Sequence, residues 1–275
     1  FFFFSSFLLL FFFFFFFFCR RQALDRATVV VGAPSTRGTC RVVTNTRGSA
    51  GITDRTVVEF APDRSTLAPG EPSWCNYVKG VVAQFEAVPA FDMAIATDVP
   101  IGGGLSSSAA LEVSTYSFLQ ALLGGPIANT PAKALACQKA EHDFANMPCG
   151  IMDQFISTLG CQNNALLIDC RSLESRLVPI TDPGVVVFVA NSNVTHKLSD
   201  SEYPKRKANC AAAVEVLKAK KGITSLRDAT MADLESVQAD LDPVIFRRAR
   251  HVISETLRCE QAADCFARVR KPKKK

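Results

Sequence analysis

The stretch Pro100-Ile101-Gly102-Gly103-Gly104-Leu105-Ser106-Ser107-Ser108-Ala109-Ala110 decides how the rest of the chain is read. It follows a short apolar strand pattern, Met93-Ala94-Ile95-Ala96, and opens a helical pattern from Leu105 to Leu123. Three glycines remove the Cβ atoms that would block a close backbone approach, and they accept positive φ. The helix that follows presents unpaired N–H groups and the positive end of its dipole. Together these make an anion site, most naturally for phosphate. The serine hydroxyls can bond phosphate oxygens or ligate a metal ion. The stretch is not a Walker A loop, which needs Lys after its last glycine; no lysine occurs between Lys79 and Lys133. Nor is it G-x-G-x-x-G, because Ser107 stands where the last glycine belongs. The plain alternative is a glycine turn before a serine-capped helix. Three consecutive serines favour phosphate.

Outward from this stretch, the N-terminal side reads as strands at Thr28-Val29-Val30-Val31-Gly32, Cys40 to Thr44 and Thr56 to Phe60, expected as a hairpin or meander. Trp74 to Val88 carries apolar residues at helical spacing. On the C-terminal side a helix is expected from Pro131 to about Ala145, with Pro accepted in its first turn. Met147-Pro148-Cys149-Gly150 breaks it, and Ile151 to Ile156 begins another helical element. Ala165 to Cys170 and Val185 to Ala190 read as buried strands, and Ser201 to Val216 and Pro243 to Glu260 as helices.

Composition narrows the class. At 275 residues and 48% apolar content the chain suits one large domain or two ordinary ones. The net charge of +5 is matched by five basic residues at the C-terminus, Arg270, Lys271, Lys273, Lys274 and Lys275. The remainder is neutral, so charge gives no argument for nucleic acid as a partner. Ten cysteines show no C-x-x-C spacing, which leaves zinc and redox motifs without support and suits a reducing, cytoplasmic compartment. Of 22 Phe, 13 lie in residues 1–18. That length permits a membrane anchor, but the run has no basic flank before it and little Leu, Ala, Val or Ile. Phe, Ser and Leu have pyrimidine-rich codons, and Cys19-Arg20 can be encoded across a CAG. Residues 1–20 are therefore expected to be translated intron, and Pro272 to Lys275 read-through past a splice donor encoded at Val269-Arg270-Lys271, so that the chain is an internal piece of a longer coding sequence.

Two carboxylates stand where phosphoryl transfer needs them, as a metal ligand and as a group that orients the acceptor. Asp153 lies in an apolar setting, where pattern alone slightly favours a helix cap. Glu141, beside Lys139 and His142, fits a solvated helix face at least as well.

Three segments carry a resemblance. They are Val99 to Ala110, Cys137-Gln138-Lys139-Ala140-Glu141-His142 with Met147 to Phe155, and Asn191 to Val194 with Ser201-Glu202-Tyr203-Pro204. They resemble the animal galactokinases of the GHMP kinase superfamily, over about Thr28 to Arg268. The resemblance implies an α+β, two-domain GHMP kinase fold: an N-terminal domain like domain 2 of ribosomal protein S5 and a ferredoxin-like C-terminal domain, both incomplete. The implied divisions are a Phe-rich leader at 1–26, the N-terminal GHMP domain at 27–182, a partial C-terminal domain at 183–268 and a basic tail at 269–275.

The resemblance also implies roles. The cofactor ATP would lie on Gly102, Gly103, Gly104, Leu105, Ser106, Ser107 and Ser108. Mg2+ would be held by Ser108 (or Ser107) with Glu141. Asp153 would be catalytic, facing the C1 hydroxyl of galactose, and Gly150 and Tyr203 would contact the sugar. The implied product is galactose 1-phosphate, made by a cytoplasmic monomer with no nucleic acid or membrane partner. Three departures are visible. The family's Gly-Arg-Val-Asn-Leu-Ile-Gly-Glu-His-x-Asp-Tyr motif does not precede Thr28. No late glycine-rich motif follows, and Thr195 stands where the family usually has Arg or Lys. The chain as written is therefore expected to be poorly stable and inactive. The alternatives are a catalytically dead galactokinase-like sensor, an N-acetylgalactosamine kinase, and a membrane-anchored protein using residues 1–18.

Overall fold

A computed structural model describes residues 2–5, 8–10, 21–24, 26–44, 56–180, 188–190 and 203–269. The chain divides into two compact units, the first centred on Arg21–Asn164 and the second on Ala165–Thr181 with Leu198–Lys275.

The first unit is a sheet covered by helices. Its strands are β1 (Phe2–Ser5), β4 (Thr28–Pro34), β5 (Cys40–Thr44), β6 (Thr56–Phe60) and β7 (Phe91–Thr97), in the order β1-β4-β7-β5-β6. Two further short strands, β2 (Leu8–Leu10) and β3 (Arg21–Leu24), pair antiparallel with each other. Period-2 alternation builds the sheet's inner face: Thr28 and Val30 of β4, Cys40 and Val42 of β5, and Phe91, Met93 and Ile95 of β7 are buried.

The expected simple meander is corrected. β5 and β6 do form an antiparallel pair, but β7 inserts between β4 and β5, antiparallel to the first and parallel to the second. A parallel neighbour needs a crossover longer than a hairpin. Helix α1 (Cys75–Val82) provides it between β6 and β7. The far edge of β4 pairs with β1.

Helix α1 is shorter than the expected Trp74–Val88. The chain tightens after Val82 through i→i−3 bonds from Gln84 to Val81 and from Phe85 to Val82, and the helix ends. Phe85 still packs inward, against Tyr116 at 4.6 Å between ring centroids.

Helix α2 (Ser107–Leu122) is central and buried over most of its circumference, touching β4 and α1 as well as α3 (Pro131–Ala145) and α4 (Met152–Leu159). Two glycines set spacings here. A Cβ on Gly32 would lie 2.4 Å from the Asp92 carbonyl oxygen and 2.7 Å from the Phe118 ring, so the α2–sheet distance requires glycine. A Cβ on Gly80 of α1 would lie 2.7 Å from the Ala140 carbonyl oxygen of α3. Helix α3 begins as its sequence announces: Thr130 accepts from the Lys133 N–H, and Pro131 occupies the first turn.

The second unit has strands β8 (Asn164–Ile168) and β9 (Ser175–Pro179), and helices α5 (Tyr203–Lys221), α6 (Met231–Ser236) and α7 (Pro243–Val269). Leu217, Leu226, Leu234, Val237, Ala249 and Ile253 form its core. The turn after β8 is tied down by crossed ion pairs, Arg227 to Asp169 at 2.6 Å and Arg171 to Asp228 at 2.6 Å.

The buried strand expected at Val185–Ala190 is corrected for its described part. Residues 188–190 form no strand, and Phe188 is 79% exposed, since no described strand offers its backbone a partner. Residues 185–187 lie outside the described residues, as do Thr195 and the 270–275 tail. Among the described residues no helix is long and apolar enough to cross a membrane.

Candidate active site

The glycine stretch forms a tight loop between β7 and α2. Gly102 and Gly104 adopt φ of 68° and 74°. At Gly104 an added Cβ would meet nothing, so the requirement is conformational rather than steric. Ser106 stands immediately before α2 at φ 56°, ψ 48°, an uncommon left-handed conformation for a serine. Its hydroxyl does not cap the helix. It donates to Asp153 Oδ2 at 2.6 Å. The first turn of α2 thus keeps its N–H groups free of a side-chain cap from Ser106, as an anion cradle requires.

Asp153 lies in the first turn of α4. The residue before that helix is Ile151, so Asp153 is not the cap that pattern alone favoured. Its carboxylate instead turns to the glycine loop through Ser106.

Glu141 is 2% exposed, against the solvated helix face that its neighbours suggested. Cys149 donates its thiol to Glu141 Oε2 at 3.4 Å, and Gln154 Nε2 donates to the same oxygen at 2.7 Å. The Ser108 side chain also bonds this carboxyl. Ser108 and Glu141 therefore lie within reach of each other. Gly150 is exposed at the end of the segment joining α3 to α4. That segment is pinned at Cys149, whose carbonyl oxygen accepts from Gln138 Nε2 at 3.2 Å and bonds His142 Nε2 at 2.9 Å. Tyr203 opens α5 in the second unit.

Two residues of this cluster were not singled out from the sequence. Glu112 of α2 and Gln154 of α4 are both 0% exposed, and Gln154 Nε2 donates to Glu112 Oε2 at 3.0 Å. The sequence did carry a signal for Glu112, the sole charged residue in α2. Gln154 carried none beyond its place next to Asp153. Burial pushes the Glu112 carboxyl well above its usual range, and the Glu141 charge adds to this. Burial raises Glu141 as well, with the Asp153 charge in the same direction, while Cys149, Ser108 and Gln154 oppose the shift by hydrogen bonding. The Cys149 thiol is raised, first by burial and then by both glutamates, and so acts as a hydrogen-bond donor rather than a nucleophile.

Among the described residues no group of three or more His, Cys, Asp or Glu stands ready to hold a metal. The donor set fits an ion that brings its own ligands. One carboxylate and one hydroxyl beside a phosphate cradle suit Mg2+, which keeps waters and phosphate oxygens around it.

Residues 76–161 match the family model for the GHMP kinases N terminal domain. Human galactokinase is 47% identical over 250 residues, covering 90% of this chain and 62% of the relative. Bovine galactokinase is 46% identical over the same share. The crystal structure of Lactococcus lactis galactokinase complexed with galactose matches at a TM-score of 0.77 and 25% identity, over 91% of this chain and 64% of that one. The chain spans about 62% of the length of the curated relatives it matches.

Proposed function

From a chain that is homologous to the animal galactokinases and has the GHMP kinase fold, we propose an ATP-dependent sugar kinase activity that phosphorylates galactose at its C1 hydroxyl. The observation that carries this reading is the 2.6 Å bond between Ser106 and Asp153. It sets a carboxylate at the mouth of a loop built for phosphate, where an acceptor hydroxyl and a γ-phosphate have to meet.

The backbone of Gly102 to Ser106 and the start of α2 hold the ATP phosphates, and Ser107 and Ser108 supply hydroxyls. Ser108 and Glu141 hold Mg2+, which when bound offsets negative charge on the phosphate oxygens. Asp153 orients the C1 hydroxyl and accepts its proton as the oxygen attacks the γ-phosphorus and the bond to the β–γ bridging oxygen breaks, releasing ADP. Gly150 lets the sugar approach the backbone. Two linked carboxylates with different environments divide the work: Glu141 serves the nucleotide and Asp153 the sugar.

The test is galactose 1-phosphate formation from ATP, followed by phosphorus NMR. It is run on the 275-residue chain and on a chimera carrying the segments of the human relative outside the aligned 250 residues. Galactose-dependent product from either supports the kinase. Binding of ATP and galactose without product would favour the sensor reading, and no binding by either protein would sink both.

A further inference from the structure

We propose that Gln154 is a positioning residue for the Ser108–Glu141 metal site, an assignment that rests on the kinase reading above. Its single amide nitrogen donates to Glu112 Oε2 at 3.0 Å and to Glu141 Oε2 at 2.7 Å. The two hydrogens of the amide therefore serve two acids on two helices, α2 and α3, from a third, α4. The opposite amide orientation would set Oε1 against the oxygens of two carboxyls and give up both donations, so Nε2 is assigned to the acids. Gln154 Oε1 and Glu112 Oε1 are buried with no partner. The amide is thus committed to the acids at the cost of its own acceptor.

Burial makes this arrangement consequential. Two carboxyls this deeply buried cannot both carry charge at low cost, and a neutral amide that donates to Oε2 of each holds Glu141 in place. Asp153 is the preceding residue and faces the glycine loop through Ser106. Adjacent positions on a helix point about 100° apart, so one turn of α4 aims Asp153 at the loop and Gln154 at Glu141. A residue that merely stabilised the fold would affect all ligands alike. A residue that aims Glu141 affects the metal-bearing nucleotide selectively.

The experiment measures ADP binding to the full 275-residue chain by calorimetry, with and without Mn2+, and Mn2+ itself by electron paramagnetic resonance. Gln154→Leu keeps the volume and removes the donors. Its affinity for Mn2+–ADP is expected to fall about 10- to 100-fold, as for residues that orient a metal ligand, with metal-free ADP binding unchanged. Equal loss of both affinities, or no loss of either, overturns the assignment. If the Leu variant does not fold by circular dichroism, Gln154→Asn, one methylene shorter and able to reach only one acid, is judged by the same ratio. Failure of both the unaltered chain and the chimera to bind ADP with or without Mn2+ removes the kinase reading and this inference together. Normal binding by either protein with an unchanged ratio in its variants removes the inference alone.

Discussion

Asp153, Glu112 and Glu141 are three acids in one site with three different surroundings, and each carries its own consequence. Asp153 is half-buried and accepts a hydrogen bond from the Ser106 hydroxyl. Asp153→Asn keeps an acceptor for that hydroxyl but removes the carboxylate proposed as the base. Galactose phosphorylation should fall by about 10²- to 10⁴-fold while nucleotide binding survives, which a turnover assay beside calorimetry will check. Glu112 behaves oppositely, as a buried acid held above its ordinary value of 4.5. A carboxyl raised in the folded state binds more protons there than in the unfolded chain. The stability it permits is full below pH 4.5 and is lost as pH rises through its folded value. Glu112→Gln keeps an acceptor for Gln154 and abolishes that loss. The variant should melt about 2 °C or more above the unaltered chain at pH 8, with the gap closing towards pH 4. Scanning calorimetry across that range decides it. The sequence marked out the glycine–serine loop, because glycine and serine runs have local meanings, whereas for Asp153 the local pattern favoured a cap that the structure does not form. It singled out Glu141 without its burial and was mute about Gln154, because burial depends on which helices meet, and no local pattern encodes that meeting.

Helices α2 and α3 meet at a buried amine. Lys133 is 2% exposed and donates from Nζ to Ser117 Oγ at 2.6 Å and to Asn129 Oδ1 at 3.3 Å, with the Tyr116 ring 5.8 Å away. Burial lowers its pKa from 10.5 to about 8. The unfolded chain therefore holds this proton more tightly than the folded one, and stability rises with pH from about 8 to about 10.5. Lys133→Met should melt above the unaltered chain at pH 7.5, and the difference should shrink across that window in a series of thermal melts. Spacing between elements is equally sensitive. Gly32→Ala forces a methyl into the Asp92 carbonyl and the Phe118 ring. It should cost about 1–3 kcal/mol in urea unfolding. Element identity was legible wherever periodicity ran long, as in α2, α3, α5 and α7. The insertion of β7 between β4 and β5 was not. Strand order follows from where α1 carries the chain, and the strands themselves do not record it.

Across the whole molecule, each unit has its own core, and the second gathers its charge into crossed Arg–Asp pairs beside the β8–β9 turn. Length left open one large domain or two ordinary ones, and the division into two rested on the family resemblance. The partners of the apolar run near 185–190 were not legible, since an apolar run states a preference for burial without naming what buries it. The lysines map the same division between surface and interior. Among the described residues Lys133 alone is buried, whereas Lys139, Lys205, Lys207, Lys218, Lys220 and Lys221 are exposed. An acylating reagent attacks only a free amine that it can reach. Brief acetylation of the native protein at pH 7.5, read by peptide mass spectrometry, should mark those six and leave Lys133 bare. The same reagent in urea should mark all seven. Lys133 is therefore a built-in chemical reporter: its acetyl group would count the occasions on which α2 and α3 have come apart.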